Sequence, residues 1–198
     1  MDDIYFLIYG FSTAPAAEQS RIEQALWQRY RAGKTVMVLD MSHFTAAAHR
    51  NGLLHYLCMI RRMQLATAPI VVQCGGSVIK YDADNMFAVF GKARGALQAA
   101  LAINRTLRDV NRSNDASRHI SVCIGIGKGK IMLIEDGADL YGDCVNIASK
   151  LGEEIAGPEE ILITADVHGE VRDASDVRFE EVVLEVAGLS VVAHRVIY

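Results

Sequence analysis

No apolar run in the sequence approaches the ~20 residues that a membrane span needs, and the acidic opening Met1-Asp2-Asp3 has the wrong sign for a secretory signal peptide. A cytoplasmic location is the expectation. A long basic stretch is also missing: 24 acidic residues against 20 basic ones give a formal net charge of −4. That balance argues against a nucleic-acid footprint and leaves small molecules or protein as partners. The four cysteines, Cys58, Cys74, Cys123 and Cys144, form no C-x-x-C pair. All sit in apolar segments and read as buried reduced thiols, so disulfide, zinc and redox chemistry are set aside. Proline is scarce, at three residues, and neither an internal repeat nor a low-complexity linker breaks the chain.

What is present is apolar material: 51% of the 198 residues are hydrophobic and 22% charged, enough for one domain with a sizeable core. The run Ile4 to Phe11 predicts an edge strand. Pro15 then starts a helix carrying Ile22, Leu26, Trp27 and Tyr30 at helical spacing, with Gly33 closing it. The unalternating run Thr35 to Leu39 predicts a strand covered on both faces, delivering Asp40 at its end. A helix is expected after Phe44, and Leu53, Tyr56, Leu57, Ile60 and Met63 mark a helix face that Pro69 terminates. A meander should follow through Ile70 to Gln73, Val78 to Tyr81 and Met86 to Phe90, with Gly75-Gly76 supplying the positive φ of a hairpin.

Beyond it the pattern predicts a helix over Ala93 to Val110, then strands Ile120 to Ile126 and Lys130 to Ile134 hinged at Gly125 to Gly129. A helix from Cys144 to Ile155, a strand Ile161 to Thr164 and a final pair near Phe179 to Val186 and Val191 to Ile197 close the chain. The fold class is α+β, a ferredoxin-like βαββαβ core with a mainly antiparallel sheet and helices largely on one face. Residues 1–33 form an N-terminal strand and helix extension to the main domain, 34–198.

Three aspartates stand at or beside strand ends: Asp40, Asp82 and Asp84. Hard divalent ions on substrate phosphates need one or two such carboxylates held on rigid elements. Behind Asp40, Met41-Ser42-His43-Phe44-Thr45 reads as a helix start whose free N–H groups suit phosphate. Carboxylates beside a phosphate cradle point to a nucleotide with its metals.

The segments Leu39-Asp40-Met41-Ser42-His43-Phe44-Thr45, Gly75 to Asp84, Ile124-Gly125-Ile126-Gly127 and Asp139 to Lys150 occur in this order between residues 34 and 165, and together resemble the class III nucleotidyl cyclases. The resemblance implies a catalytic domain that cyclises ATP or GTP as a homodimer with sites between the chains. Asp40 and Asp84 match the metal aspartates for two Mg2+ or Mn2+ ions, with the Met41 carbonyl as a further ligand and the Phe44 and Thr45 amides on the triphosphate. Asn146 matches the residue that orients the ribose, Lys150 the cation on the phosphoryl oxygen, and Lys80 and Asp139 the two base selectors. Adenine offers an acceptor at N1 and a donor at its amino group, so a Lys donor and an Asp acceptor favour ATP over GTP, while CTP shows the same order on a smaller ring.

Several positions depart from the family pattern. Lys150 replaces an arginine, losing the planar two-pronged donor. Ala83 and His43 replace glycines, and Ala187-Gly188 replaces a Lys-Gly step, removing a triphosphate charge. The rival to a working cyclase is therefore a degenerate domain that binds nucleotide or a protein partner without efficient turnover. The stretch Gly125 to Lys130 lacks P-loop spacing and reads as a hairpin turn, and His43, His49 and His55, spaced by six, scatter around a helix and are not ligands.

Overall fold

A computed structural model of the chain describes residues 4–42, 52–134, 139–186 and 189–198. The strands are β1 (Arg31–Met41), β2 (Gly76–Asp82), β3 (Asn85–Phe90), β4 (Val122–Ile134), β5 (Asp139–Tyr141), β6 (Ile161–Thr164), β7 (Arg178–Val186) and β8 (Leu189–Ile197). The helices among the described residues are α1 (Ile4–Thr13), α2 (Ala16–Tyr30), α3 (Leu53–Gln73), α4 (Ala93–Arg112), α5 (Asp143–Ser149) and α6 (Ala165–Val171). α5 runs on as a π-helical turn, Lys150–Ile155. The strands form one sheet in the order β2-β3-β1-β4-β6-β8-β7, with β5 paired to β4. Among the described strands only β4 and β6 pair in parallel, so the α+β, mainly antiparallel architecture expected from the sequence is the one observed.

β1 is the spine, and its side chains alternate between two cores because successive strand residues face opposite ways. Met37, Leu39 and Met41 meet Met59 and Met63 of α3 and Leu97 and Leu101 of α4. Val36 and Val38 point to the other face, where Cys144, Val145 and Ala148 of α5 cover them. Every residue from Thr35 to Leu39 is fully buried, as the unalternating pattern predicts. A strand clamped from both faces holds whatever stands at its end, and that residue is Asp40.

The glycines of β4 do a different job from the one expected. No hairpin breaks the strand there: β4 pairs with β1 from Met41↔Val122 to Arg31↔Met132 without interruption. A Cβ on Gly125 would lie 2.1 Å from the Ala148 carbonyl oxygen, and one on Gly127 would lie 2.6 Å from that of Cys144. The missing side chains are the seat on which α5 lies directly against the backbone of the sheet.

Other expectations are corrected. Ile4 to Phe11 is helical, with Ile4 buried against Leu26 and Ile134 and Leu7 packed beside it, a spacing of three that a strand cannot provide. α2 ends at Tyr30, and Gly33 lies inside β1. α3 continues through Pro69 to Gln73, so Ile70 to Gln73 is not a strand. Pro69 is exposed, where water can take the carbonyl its ring leaves unpaired, while Thr67 and Val71 keep that turn in the core. Leu53 and Leu57 are exposed; Met59, Ile60 and Met63 form the buried face.

Gly75, at φ +78°, closes α3 and is not a hairpin residue. The β2–β3 hairpin turns instead at Ala83 and Asp84, with Ala83 at φ +50°. Cys123 and Cys144 are buried as expected, but Cys58 is exposed and Cys74 half-buried; all are free. β5 and α6 had no counterpart in the sequence reading. The helix expected after Phe44, with His43 and His49, and the Ala187-Gly188 step lie outside the described residues. Among those described, no helix is long and apolar enough to cross a membrane.

The seat is testable. Gly125→Ala should lower the unfolding free energy by about 1–3 kcal/mol, the usual range for overpacking. Gly33→Ala, where a Cβ meets nothing within 4 Å, should stay within about 0.5 kcal/mol of wild type. Denaturant midpoints at constant slope read both, and equal stability of the two variants would refute the close approach.

Candidate active site

Asp40 leaves the sheet at the end of β1, beside Cys123 in register, and accepts a hydrogen bond from the Met41 amide. Its carboxyl is pushed up to about 7, first by burial, then by the charges of Asp84 and Glu153. Asp84 stands in the β2–β3 turn, and burial is again the largest influence raising it, with Asp82 adding repulsion against its own backbone amide. Glu153, on the π turn, is raised by burial and by Glu154 and Asp82, against a hydrogen bond from Ser149 and the charge of Lys150. Its side chain is exposed, so water damps much of that repulsion.

The chemistry of this corner is oxygen donors with negative charge to spare. Among the described residues, a backbone amide is the one influence that lowers Asp40. Among the described residues no three His, Cys, Asp or Glu side chains converge on one point. Two carboxylates that repel each other, plus a strand-end carbonyl at Met41, nevertheless suit a hard divalent cation such as Mg2+, which keeps several of its waters and takes only one or two protein carboxylates.

A second group has the opposite logic. Lys80 on β2 donates to Asp139 Oδ1 on β5 at 2.7 Å, and its Nζ lies 5.0 Å from the centre of the Phe87 ring. The Leu140 amide also donates to Oδ1, at 2.9 Å, and the Tyr141 hydroxyl to Oδ2, at 2.6 Å. Burial would raise the Asp139 carboxyl, but the hydrogen bonds from Lys80, Tyr141 and Leu140 outweigh it and hold it below the usual carboxylate range. The two base-selecting candidates, 59 residues apart in sequence, are thus direct partners.

Asn146 is exposed on α5, the helix seated on the β4 glycines. Lys150 opens the π turn and pairs with Glu154 of the same turn. The structure therefore brings together Asp40 with Asp84 and Lys80 with Asp139, and puts Asn146 and Lys150 on one helix. Phe44 and Thr45 lie outside the described residues. Glu153 and Tyr141 escaped the sequence reading. No local signal marked Glu153, because its placement depends on the π turn, which departs from ordinary helical spacing.

No protein-family profile matches the chain. A curated protein of Rhizobium meliloti (strain 1021), named "Putative adenylate cyclase 3", is 28% identical over 144 residues, 73% of this chain and 24% of that protein. The chain thus spans about a quarter of the length of that relative. The crystal structure of an adenylate/guanylate cyclase/hydrolase from Silicibacter pomeroyi superposes with a TM-score of 0.72 at 26% identity, covering 85% of this chain and 98% of that one. The adenylyl cyclase CyaB from P. aeruginosa gives a TM-score of 0.74 at 20% identity, over 85% and 95% of the two chains, a likeness of fold. The chain has the fold of a class III nucleotidyl cyclase catalytic domain.

The crowded carboxylates yield a pH prediction. A carboxyl raised from about 4 when unfolded to about 7 when folded contributes stability that is fully present below pH 4 and lost as pH rises through 7. In metal-free protein, the stability advantage of Asp40→Asn over wild type should therefore widen from pH 5 to pH 8. Mn2+ should raise the melting temperature of wild type and leave the variant's nearly unchanged. Parallel pH profiles for the two proteins would show that Asp40 is not under this strain.

Proposed function

We propose that this chain, built on the class III nucleotidyl cyclase fold, converts ATP to cyclic AMP and pyrophosphate as a homodimer. The observation that carries the reading is the Lys80–Asp139 pair, a donor beside an acceptor at 2.7 Å, present in a chain that also sets Asp40 and Asp84 against each other at rigid strand ends. Lys80 donates to adenine N1 and Asp139 accepts from the adenine amino group, an order that guanine reverses. Asn146 orients the ribose, so that the 3′-oxygen faces the α-phosphorus in line with the departing pyrophosphate. That oxygen gives up its proton to water, bonds to the α-phosphorus as the bond to the bridging oxygen breaks, and pyrophosphate leaves. Lys150 stands ready to neutralise charge on the phosphoryl oxygens.

Asp40, Asp84 and the Met41 carbonyl would hold Mg2+ or Mn2+. Bound there, the ions supply acidity to the 3′-hydroxyl and neutralise the triphosphate. Phe44 and Thr45 complete the proposal as amide donors to the triphosphate. In the dimer, Asp40 and Asp84 of one subunit face Lys80, Asp139, Asn146 and Lys150 of the other. One observation favours the second reading, a domain that binds nucleotide without efficient turnover: Lys150 is already paired with Glu154.

Incubation with labelled ATP, GTP, CTP and UTP in Mn2+ separates these readings. Cyclic AMP with pyrophosphate is the expected product; cyclic GMP as the main product overturns the base assignment, and binding without any cyclic product selects the second reading. The shared site has its own test. Asp40→Ala and Asn146→Ala homodimers should each be nearly inactive, whereas a mixture with free exchange should recover about a quarter of wild-type activity, since half the dimers then keep one intact site of two. No recovery despite exchange shown by mass would place the whole site within one chain.

A further inference from the structure

Asp139 is held from three sides, by Lys80, the Leu140 amide and the Tyr141 hydroxyl. A carboxylate has about four lone-pair positions. Oδ1 accepts from Lys80 at 2.7 Å and from the Leu140 amide at 2.9 Å, and Oδ2 accepts from the Tyr141 hydroxyl at 2.6 Å. One position remains for a ligand. Lys80 spends one of its three protons on Asp139 and keeps its Nζ near the Phe87 ring, so donors also remain.

Tyr141 spends its proton on Asp139 and also meets the Tyr5 phenol, and both neighbours favour its protonated form. Tyr5 belongs to α1, which is joined to the sheet through Ile4, Leu7 and Ile134. A continuous chain, Tyr5 to Tyr141 to Asp139 to Lys80, thus runs from the N-terminal helix to the base-selecting pair.

We propose that Tyr141, steadied by Tyr5, is a positioning residue for nucleotide selection, fixing the Asp139 carboxylate so that one oxygen pairs with Lys80 and the other faces the base. The inference rests on the base-reading role given above to Lys80 and Asp139. Without the phenol, Oδ2 loses its partner and the carboxylate is free to turn and take Lys80 with both oxygens, closing donor and acceptor on each other. The site then loses the arrangement that tells adenine from guanine, while the metal corner, which shares no residue with this chain of hydrogen bonds, is untouched.

The test is equilibrium binding of ATP and GTP in Mn2+, which needs no turnover, together with carboxyl 13C titration of Asp139 in nucleotide-free protein. Tyr141 is 43% exposed, so Tyr141→Phe should fold normally. It should cut the ATP-over-GTP affinity ratio about tenfold, the scale of one hydrogen bond to a charged group, mostly by weakening ATP, and should raise the Asp139 titration midpoint. Tyr5→Phe should do the same to a smaller extent, about twofold to threefold by the same reasoning. A wild-type preference for ATP that Tyr141→Phe leaves intact, or an unmoved Asp139 titration, overturns the positioning role alone. Absence of any ATP preference in the wild type overturns the base-reading proposal and this inference with it.

Discussion

The molecule depends on the contact between α5 and the bare backbone of β4. Gly125 and Gly127 leave the helix carbonyls of Ala148 and Cys144 so close to the strand that no Cβ fits between them. That depth lets Ala148, Val145 and Cys144 complete a core with Val36, Val38, Phe87 and Val89 on a face that would otherwise need a thicker layer. Both candidate groups inherit their positions from it. Asp40 extends from the strand these residues clamp, and Asn146, Lys150 and Glu153 ride on the seated helix and its π turn. Lys80 sits over Phe87, a member of the same core.

A cluster of carboxylates and one paired carboxylate share this half of the sheet, and burial acts on both in the same sense. Their protonation differs because of their partners. Asp40 is half-buried beside Asp84 and Glu153, and its carboxyl rises to about 7. Asp139 is half-buried beside Lys80, Tyr141 and an amide, and its carboxyl falls. On the proposed reading the first awaits a cation; the second is satisfied already and keeps one acceptor position open. A site for a metal-bound nucleotide needs both conditions, a charge deficit where the phosphates lie and a fixed neutral pattern where the base is read.

Much of this was legible in the residues. The unalternating run Thr35 to Leu39 announced a strand covered on both faces, and the ordered segments around Asp40, Asp84, Asp139 and Asn146 pointed to the fold that comparison bears out. The failures share a cause: local signals overridden by tertiary contacts invisible from sequence. Glycines that ordinarily bend a chain were there to admit a helix. Pro69 ordinarily ends a helix but stands on its wet side. Ile4 to Phe11 is apolar enough for a strand, and only the docking of Ile4 and Leu7 against Leu26 and Ile134 shows its helical period. Tyr141 was not singled out within the Asp139 to Lys150 segment because its neighbour Tyr5 is distant in sequence, and no local pattern reports such a pair.

The π turn explains why the lysine at position 150 is placed as it is. Its i→i+5 bond, from the Ala156 amide to the Leu151 carbonyl at 2.8 Å, inserts one extra residue where the helix leaves the sheet, a device found often at functional sites. Leu151 stays in the core, and Gly152 backs onto the strands, where a Cβ would lie 3.0 Å from the Gly125 nitrogen and the Val38 oxygen. Glu153 is thereby turned toward the Asp40 corner, whose carboxyl it helps to raise. Lys150 consequently answers two acids, Glu154 by direct pairing and Glu153 through its charge. A guanidinium would offer five donors to such a neighbourhood and an ammonium three. With lysine, one bond to Glu154 leaves two protons for a phosphoryl oxygen, but as a point charge without a planar fork. On the proposed reading, orientation of the phosphates then comes from the carboxylate corner and its cation, which concentrates the catalytic demand on Asp40 and Asp84.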